Sequence, residues 1–191
     1  MTFRNSTKFV MALALASTGL AAASLQANHH KMTNPAVGGA EMFPSKNIAE
    51  NASAAPNLTT LVAAVSAAGL VQTLASPGPF TVFAPTNTAF EKLPAGTVGT
   101  LVKPENKATL TKILTYHVVA GKLTSKDIVS AIKAGGGSAS LTTVAGEKLS
   151  ARLSGNSVVI TDGKGGQSAV TTVDVMQSNG VVHVIDSVLL P

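Results

Sequence analysis

The apolar residues of this chain change their spacing at the triplet Gly135-Gly136-Gly137, and this change limits the folds open to it. Before the triplet they recur mainly at helical spacing, as in the run from Leu58 to Val65. After it they alternate with polar residues, as in the run from Leu149 to Leu153, which is the pattern of a half-buried strand. Helices gathered in the first half and strands in the second predict an α+β domain with a largely antiparallel sheet system.

Capping residues predict where the helices begin and end. Gly69 is placed to end the helix that contains Leu58 to Val65. Asn87 is predicted to cap a short helix over Thr88–Leu93, and Pro104 suits the first position of a later one. Ser125 is predicted to cap a further helix that ends at the glycine triplet.

Turn residues divide the strands in the same way. An early strand is predicted over residues 80–84, between two prolines. Gly155-Asn156 predicts a hairpin between Leu149 and Ile160, with Leu149, Ala151 and Leu153 facing the core. A turn at Gly163–Gly166 precedes a strand over residues 169–175, and the two-residue turn Asn179-Gly180 precedes a last strand from Val181 to Leu190.

Length and composition favour one packed domain. The chain has 191 residues, of which 45% are hydrophobic and 12% charged, so a buried core is feasible and two full-sized domains are excluded. It contains no cysteine, which excludes disulfides, thiolate metal sites and cysteine nucleophiles. Aromatic residues make up only 4%, so the stacking platforms that single-stranded nucleic acids or sugars usually need are scarce.

The N-terminal residues have the pattern of an export signal. Arg4 and Lys8 precede an apolar run from Phe9 to Ala23, and small residues suited to cleavage end at Ala23 and at Ala27. The run is too short and too interrupted for a transmembrane anchor. We therefore expect a signal peptide over 1–27, a flexible segment over 28–46 and one domain over 47–191.

Export explains part of the basic charge. The whole chain carries a formal net charge of +5, and removal of Arg4 and Lys8 leaves twelve basic and nine acidic residues, a net charge of +3. This charge is too small and too scattered to predict a nucleic-acid partner. A secreted product without cysteine is expected to be bacterial, either periplasmic or extracellular.

Three ordered motifs resemble those of fasciclin-type (FAS1) domains. Gly78–Asn87 followed by Ala89-Phe90 resembles the first family signature, and Asn179–Asp186 with Leu189 resembles the second. Leu114–Val119 resembles the tyrosine–histidine motif between them. The resemblance implies a wedge of two β-sheets with helices packed on one side, and a role in adhesion or in matrix and cell-surface interaction.

The resemblance also implies partner-binding residues. Animal relatives bind integrins through the tyrosine–histidine region and through an acidic motif before the second signature, and these positions correspond to Tyr116, His117, Asp174, Val175 and Met176. The two residues before Asp174 replace the family's Glu-Pro, and bacteria have no integrins. The position of the site is therefore carried over rather than its ligand.

Each of these residues also has a purely structural interpretation. Tyr116 and His117 fit a buried, hydrogen-bonded pair that joins a helix to the sheet. His183 alternates with valines and fits a cross-sheet hydrogen bond better than a metal ligand. The Asp174 side chain fits a turn, and Met176 fits a gap in the core.

Catalytic and cofactor motifs are absent from the sequence. It has no Gly-x-Ser-x-Gly elbow, no His-Glu-x-x-His and no phosphate-binding loop, and its histidines, Asp186 and serines form no recognisable triad pattern. We expect no enzyme activity, no cofactor and no metal in the domain. A chain cleaved after Ala27 would begin Asn28-His29-His30, an order suited to Cu(II) or Ni(II), whereas an untidy tail is the simpler interpretation.

These observations predict a secreted, non-catalytic adhesion or surface-interaction module that mediates cell-surface, matrix or biofilm contacts. Its expected partner is a cell-surface or matrix protein or polysaccharide, and we expect a monomer. The alternative is a periplasmic or extracellular carrier of a small apolar or lipid-like ligand, held in a crevice between the helices and the sheet.

Overall fold

The computed structural model describes residues 34–191. The predicted signal peptide and the Asn28-His29-His30 sequence lie outside the described residues. Residues 34–46, predicted to be a flexible segment, contact the domain: Val37 and Met42 are buried in its core, and Lys46 O accepts a hydrogen bond from Ser178 N at 2.9 Å. The core therefore includes Val37 and Met42, which precede the predicted domain boundary at residue 47.

The described residues contain seven α-helices. They are α1 (Ile48–Ala54), α2 (Thr59–Ala68), α3 (Val71–Ala75), α4 (Asn87–Glu91), α5 (Thr97–Leu101), α6 (Lys107–Tyr116) and α7 (Ser125–Ala134), with 3-10 turns at Pro56–Leu58 and Pro104–Asn106. The predicted end of α2 is confirmed, since Gly69 adopts the left-handed conformation with φ 76°. Pro104 occupies the first turn of its 3-10 element, as expected.

Two predicted helix caps are wrong by one residue. Thr86 caps α4 and Thr124 caps α7. Each threonine immediately precedes the predicted cap residue, and each has the extended backbone conformation that a cap requires. Asn87 instead reaches back to α2, where its Oδ1 accepts a hydrogen bond from Thr60 N at 3.0 Å.

The same residues contain seven strands. They are β1 (Phe80–Pro85), β2 (Val118–Ala120), β3 (Ser138–Thr142), β4 (Lys148–Ser154), β5 (Ser157–Thr161), β6 (Gln167–Gln177) and β7 (Gly180–Ile185). The β4–β5 hairpin at Gly155-Asn156 is confirmed. The turn before β7 consists of Ser178-Asn179, one residue earlier than predicted, because Gly180 already pairs with Gln177.

Two further strand predictions are corrected. The strand predicted to reach Leu190 ends at Ile185. Beyond it, Ser187 N donates to the Ser168 hydroxyl, Leu189 N to the imidazole of His117 and Leu190 N to the Asp162 carboxylate, so the ladder does not continue. The predicted inward face of β4 holds for Leu149 and Ala151, whereas Leu153, near the hairpin turn, is 37% exposed.

The strands hydrogen-bond in the order β2-β1-β7-β6-β5-β4-β3. Every neighbouring pair is antiparallel except β1 with β7, which run parallel. The long strand β6 pairs with β5 near its start and with β7 further along, so it joins two four-stranded sheets. A bridge between Val119 and Thr143 brings the opposite edges together and nearly closes the system. The predicted α+β class with a largely antiparallel sheet system is confirmed.

Two apolar cores occupy the two faces of the central strands. Val82, Ala84, Val182 and Val184 pack against α1, α2 and α6 in the first core. Phe83 and Ile185 face the second core, between the sheets, to which α7 contributes Ile128 and Ile132. Strands β1 and β7 are therefore buried on both faces, as parallel neighbours usually are. Helix α7 is separate from the other helices, since it packs against β3 and β4.

Candidate functional site

Tyr116 occupies the last turn of α6 and is fully buried, with 0% of its surface exposed. Its hydroxyl accepts a hydrogen bond from Gly163 N at 2.8 Å and donates to Lys148 O at 3.3 Å. Burial raises the pKa of the Tyr116 hydroxyl, so the group stays protonated and can make both bonds. Tyr116 therefore ties helix α6 to strand β4 and to the turn that precedes β6.

His117 follows directly and is also buried. Its Nδ1 donates to Ile113 O at 2.8 Å, and its Nε2 accepts from Leu189 N at 3.0 Å. A carbonyl can only accept and an amide can only donate, so these partners define one neutral tautomer. Burial lowers the pKa of His117 to about 4, which keeps the ring neutral at physiological pH.

His183 lies at the centre of β7 with both ring nitrogens bonded to the backbone. Nε2 donates to Leu123 O at 2.8 Å, and Nδ1 accepts from Asp174 N at 3.3 Å. The ring stacks on Phe83 at a centroid separation of 5.7 Å. Burial lowers the pKa of His183 as well, so it too is neutral. The predicted cross-sheet hydrogen bond is therefore present.

Asp174 lies in an irregular part of β6. The register against β7 shifts twice, between Val170 and Thr172 and again between Thr172 and Val175, and each shift leaves one extra residue on β6. Asp174 has φ 57°, which is uncommon for a residue other than glycine. Its carboxylate accepts hydrogen bonds from Ser125 N at 2.7 Å and from the Ser125 hydroxyl. Asp174 thus holds the first turn of α7 against the sheet, and Ser125 is its partner rather than the cap of α7.

The other two predicted partner-binding residues differ in burial. Val175 is 1% exposed and belongs to the first core. Met176 is half-buried, and its backbone N–H and C=O both bind the side chain of Asn34, at 2.8 Å and 2.6 Å. Asn34 is a contact that the sequence did not predict, because an isolated asparagine in a polar stretch carries no signal for a sheet edge.

The three family motifs meet in space, as the resemblance implies. Phe83 N donates to His117 O at 2.9 Å, and Phe83 also stacks on His183. Through these contacts Phe83 connects the tyrosine–histidine motif to the strand of the second signature. The ring side chains of Phe83, Tyr116, His117 and His183 in these motifs are therefore internal. Whether a partner binds at these five residues remains a prediction.

One apolar residue at this position is exposed. Val173, next to Asp174, has 39% of its surface accessible, and it projects from the part of β6 where the register shifts. In the sequence, Val173 stands out only as one of the two residues that replace the family's Glu-Pro. Alternation along β6 gave no signal for its exposure, because the extra residues interrupt that alternation.

The neighbouring serine, aspartate and histidine do not form a nucleophilic array. The Ser125 hydroxyl binds the Asp174 carboxylate, and the ring nitrogens of His183 are both occupied by backbone groups. Asp186 has different partners: its carboxylate accepts a hydrogen bond from Ala169 N at 2.9 Å and forms an ion pair with Lys92 at 3.3 Å. A serine bonded to a histidine that a carboxylate in turn orients, which a Ser-His-Asp array requires, is not found among these residues.

Two further properties concern residues 34–191 only. No group of three or more histidine or carboxylate side chains in this part of the chain is arranged to hold a metal ion. None of its helices is both long and apolar enough to cross a bilayer.

Comparison with known proteins supplies the family. The model of the fasciclin domain matches residues 56–191. The chain is 48% identical over 144 residues to protein sll1483 of Synechocystis, covering 75% of this chain and 73% of that protein. It is 41% identical over 149 residues to immunogenic protein MPB70 of Mycobacterium bovis, covering 75% and 68%. A solved FAS1 domain pair from the insect cell adhesion molecule Fasciclin I aligns with a TM-score of 0.52 and 26% identity, over 66% of this chain and 42% of that one.

Proposed function

The chain belongs to the fasciclin domain family, and we propose that it acts as an exported, non-catalytic adhesion module that binds a protein of the cell surface or matrix. The solved relative is named as a cell adhesion molecule, which supports this class of function. The N-terminal export pattern supports a location outside the cytoplasm.

The observation that carries the proposal is the exposed Val173 on a rigid support. Thr172, which precedes Val173, pairs with Val184 of β7, and Asp174, which follows it, is held to α7 through Ser125. An exposed apolar side chain whose backbone is fixed on both sides loses little entropy when a partner covers it. We therefore place the partner-binding surface at Thr172–Asp174 together with the first turn of α7.

The chemistry of this surface favours a protein partner over a polysaccharide. Sugar binding generally uses aromatic platforms, and aromatic residues are only 4% of the chain. Val173 presents an aliphatic side chain instead, and such side chains pack against apolar groups of another protein. Attachment that survives protease treatment of the target surface would support a polysaccharide and contradict this part of the proposal.

The test is complementation of a deletion strain with surface variants. Val173→Lys should lower surface attachment by about tenfold, the effect of losing one well-packed interface contact. Leu153→Lys is the matched control, because Leu153 is also an exposed apolar strand residue, with 37% of its surface accessible against 39% for Val173. Attachment that is unchanged by deletion, or lowered equally by the two variants, would refute the proposed surface.

Export is tested separately by N-terminal sequencing of the mature protein. Cleavage after Ala23 or Ala27 would agree with the proposal. An uncleaved protein recovered from the cytoplasm would contradict it.

A further inference from the structure

A cavity of about 140 Å³ lies in the first core, between the N-terminal helices and the central strands. Its wall is formed chiefly by aliphatic side chains of α1, α2, β1 and β7, among them Leu61, Val65 and Val82. Native cores leave few voids larger than a water molecule, so a space of this size within an otherwise well-packed domain needs an explanation.

The cavity wall carries no charge. None of its lining residues is an aspartate, glutamate, lysine or arginine. His117 contributes to the wall, but both of its ring nitrogens are bonded to the backbone and the ring is neutral. A charged ligand group placed here would lose its hydration without gaining a counter-charge, which is strongly unfavourable.

The two buried amide side chains of the wall, Asn51 and Gln177, are also occupied. Asn51 Nδ2 donates to Phe43 O at 2.8 Å and to the side-chain oxygen of Gln177, while Asn51 Oδ1 accepts from Phe43 N at 3.1 Å. Gln177 Nε2 is directed at Val175 O. These groups are therefore unavailable to hold ordered water or a polar ligand, and a dry apolar cavity is the expected result.

The cavity reaches the surface at two exposed valines. Val71 at the start of α3 and Val144 after β3 both line it, and they are 37% and 46% exposed. Half of the four large apolar residues that are exposed in residues 34–191 thus lie in this wall. Covering them would remove further apolar surface from water, which favours binding of an apolar molecule that extends beyond the interior.

We propose that this cavity is a binding site for an uncharged hydrocarbon ligand, an aliphatic chain or a small ring, that enters past Val71 or Val144. An apolar protein cavity of about 150 Å³ can bind benzene, so the interior can hold roughly six carbon atoms. The site is distinct from the adhesion surface, because Val173 does not line it.

The test compares 1-octanol with octanoate, two probes with the same chain length that differ in charge. Methyl NMR spectra of the purified protein at pH 7 should show saturable shifts at Leu61, Val65 and Val144 with octanol. Octanoate should bind at least about tenfold more weakly, because none of the residues that line the cavity carries a charge to pair with its carboxylate. The absence of saturable shifts, shifts confined to other residues, or equal binding of the two probes would overturn the proposal.

Cavity-filling variants localise the site. Ala52→Leu places three further carbons on α1, where Ala52 lines the cavity, and should weaken octanol binding by at least about tenfold. The matched control is Ala131→Leu, an exposed position on α7 that does not line the cavity, which should bind octanol normally. If Ala52→Leu does not fold, Val62→Phe on α2 serves the same purpose. Wild-type affinity in a folded filling variant would contradict the assignment.

Discussion

Acidification from pH 7 to pH 5 is expected to destabilise the domain because His117 is buried in its neutral form. Its pKa is about 4 in the folded protein against 6.5 in the unfolded chain. Between these values the unfolded state binds the proton and the folded state does not, so the free energy of unfolding falls as the pH falls. The stabilisation is fully present above pH 6.5 and is lost progressively toward pH 4.

The magnitude follows from the two pKa values. At 1.36 kcal/mol per pKa unit, the protonation of His117 in the unfolded state costs about 2 kcal/mol at pH 5 and about 3 kcal/mol once the pH is below 4. His183 contributes with the same sign, since its pKa is also lowered by burial. Hydrogen bonds from Thr124 lower the pKa of Asp127 too. Partial burial raises the pKa of Asp186, but hydrogen bonds from Ala169 and Lys92 outweigh it and lower that pKa overall. Their stabilisation is lost only below the unfolded value of 3.8, so the interval from pH 7 to pH 5 isolates the histidines.

Urea unfolding at pH 7 and pH 5 and constant ionic strength measures the effect. The His117→Gln variant should lose about 2 kcal/mol less than the wild type over this interval, because its side chain does not titrate. His183→Gln should retain the share that belongs to His117. A wild-type protein equally stable at the two pH values, or a His117→Gln variant with the wild-type loss, would refute the argument that His117 is buried and neutral.

Three substitutions test the internal contacts by denaturant unfolding. Phe83→Ala should lower the free energy of unfolding by about 3–5 kcal/mol, because the side chain is fully buried. A loss below about 1 kcal/mol would contradict this burial, unless neighbouring side chains collapse into the space that the ring leaves. Asp174→Ala should lower the free energy of unfolding by about 1–3 kcal/mol, because it removes both hydrogen bonds to Ser125 and keeps a Cβ at a positive φ. Asp174→Asn should cost less, and equal losses in the two variants would contradict the role of these hydrogen bonds. Tyr116→Phe should cost about 1–2 kcal/mol by leaving Gly163 N without its partner, and an unchanged stability would mean that water replaces the hydroxyl.

The elements predicted most accurately were those with local signals. The strand at residues 80–84 is encoded by its flanking prolines and its aromatic and β-branched residues, and the hairpin at Gly155-Asn156 by its glycine turn and alternating apolar residues. The helix caps were missed by one residue because threonine and its neighbour are both good caps, and only the backbone conformation distinguishes them. Strand β3, Ser138–Thr142, gave little signal because it contains one large apolar residue.

The features that depend on tertiary contacts could not be predicted from spacing. Asp174 adopts its unusual conformation because Ser125, which is distant in the chain, holds its carboxylate. The burial of Val37 and the cavity beside it depend on how the N-terminal residues lie against the sheet, which periodicity does not describe. The sequence identified the motif positions, whereas the structure shows which of their side chains are internal.

In the proposed function, the buried motif residues support a surface, and the partner binds at Thr172–Asp174, where the register of β6 shifts. Binding of the labelled purified protein to intact cells of the deletion strain tests it, with Tyr116→Phe and Val173→Lys compared under conditions where both are folded. Tyr116→Phe should bind with wild-type affinity despite its lower stability, and Val173→Lys should bind about tenfold more weakly at unchanged stability. Wild-type binding by Val173→Lys, or a comparable loss of binding in folded Tyr116→Phe, would contradict the claim.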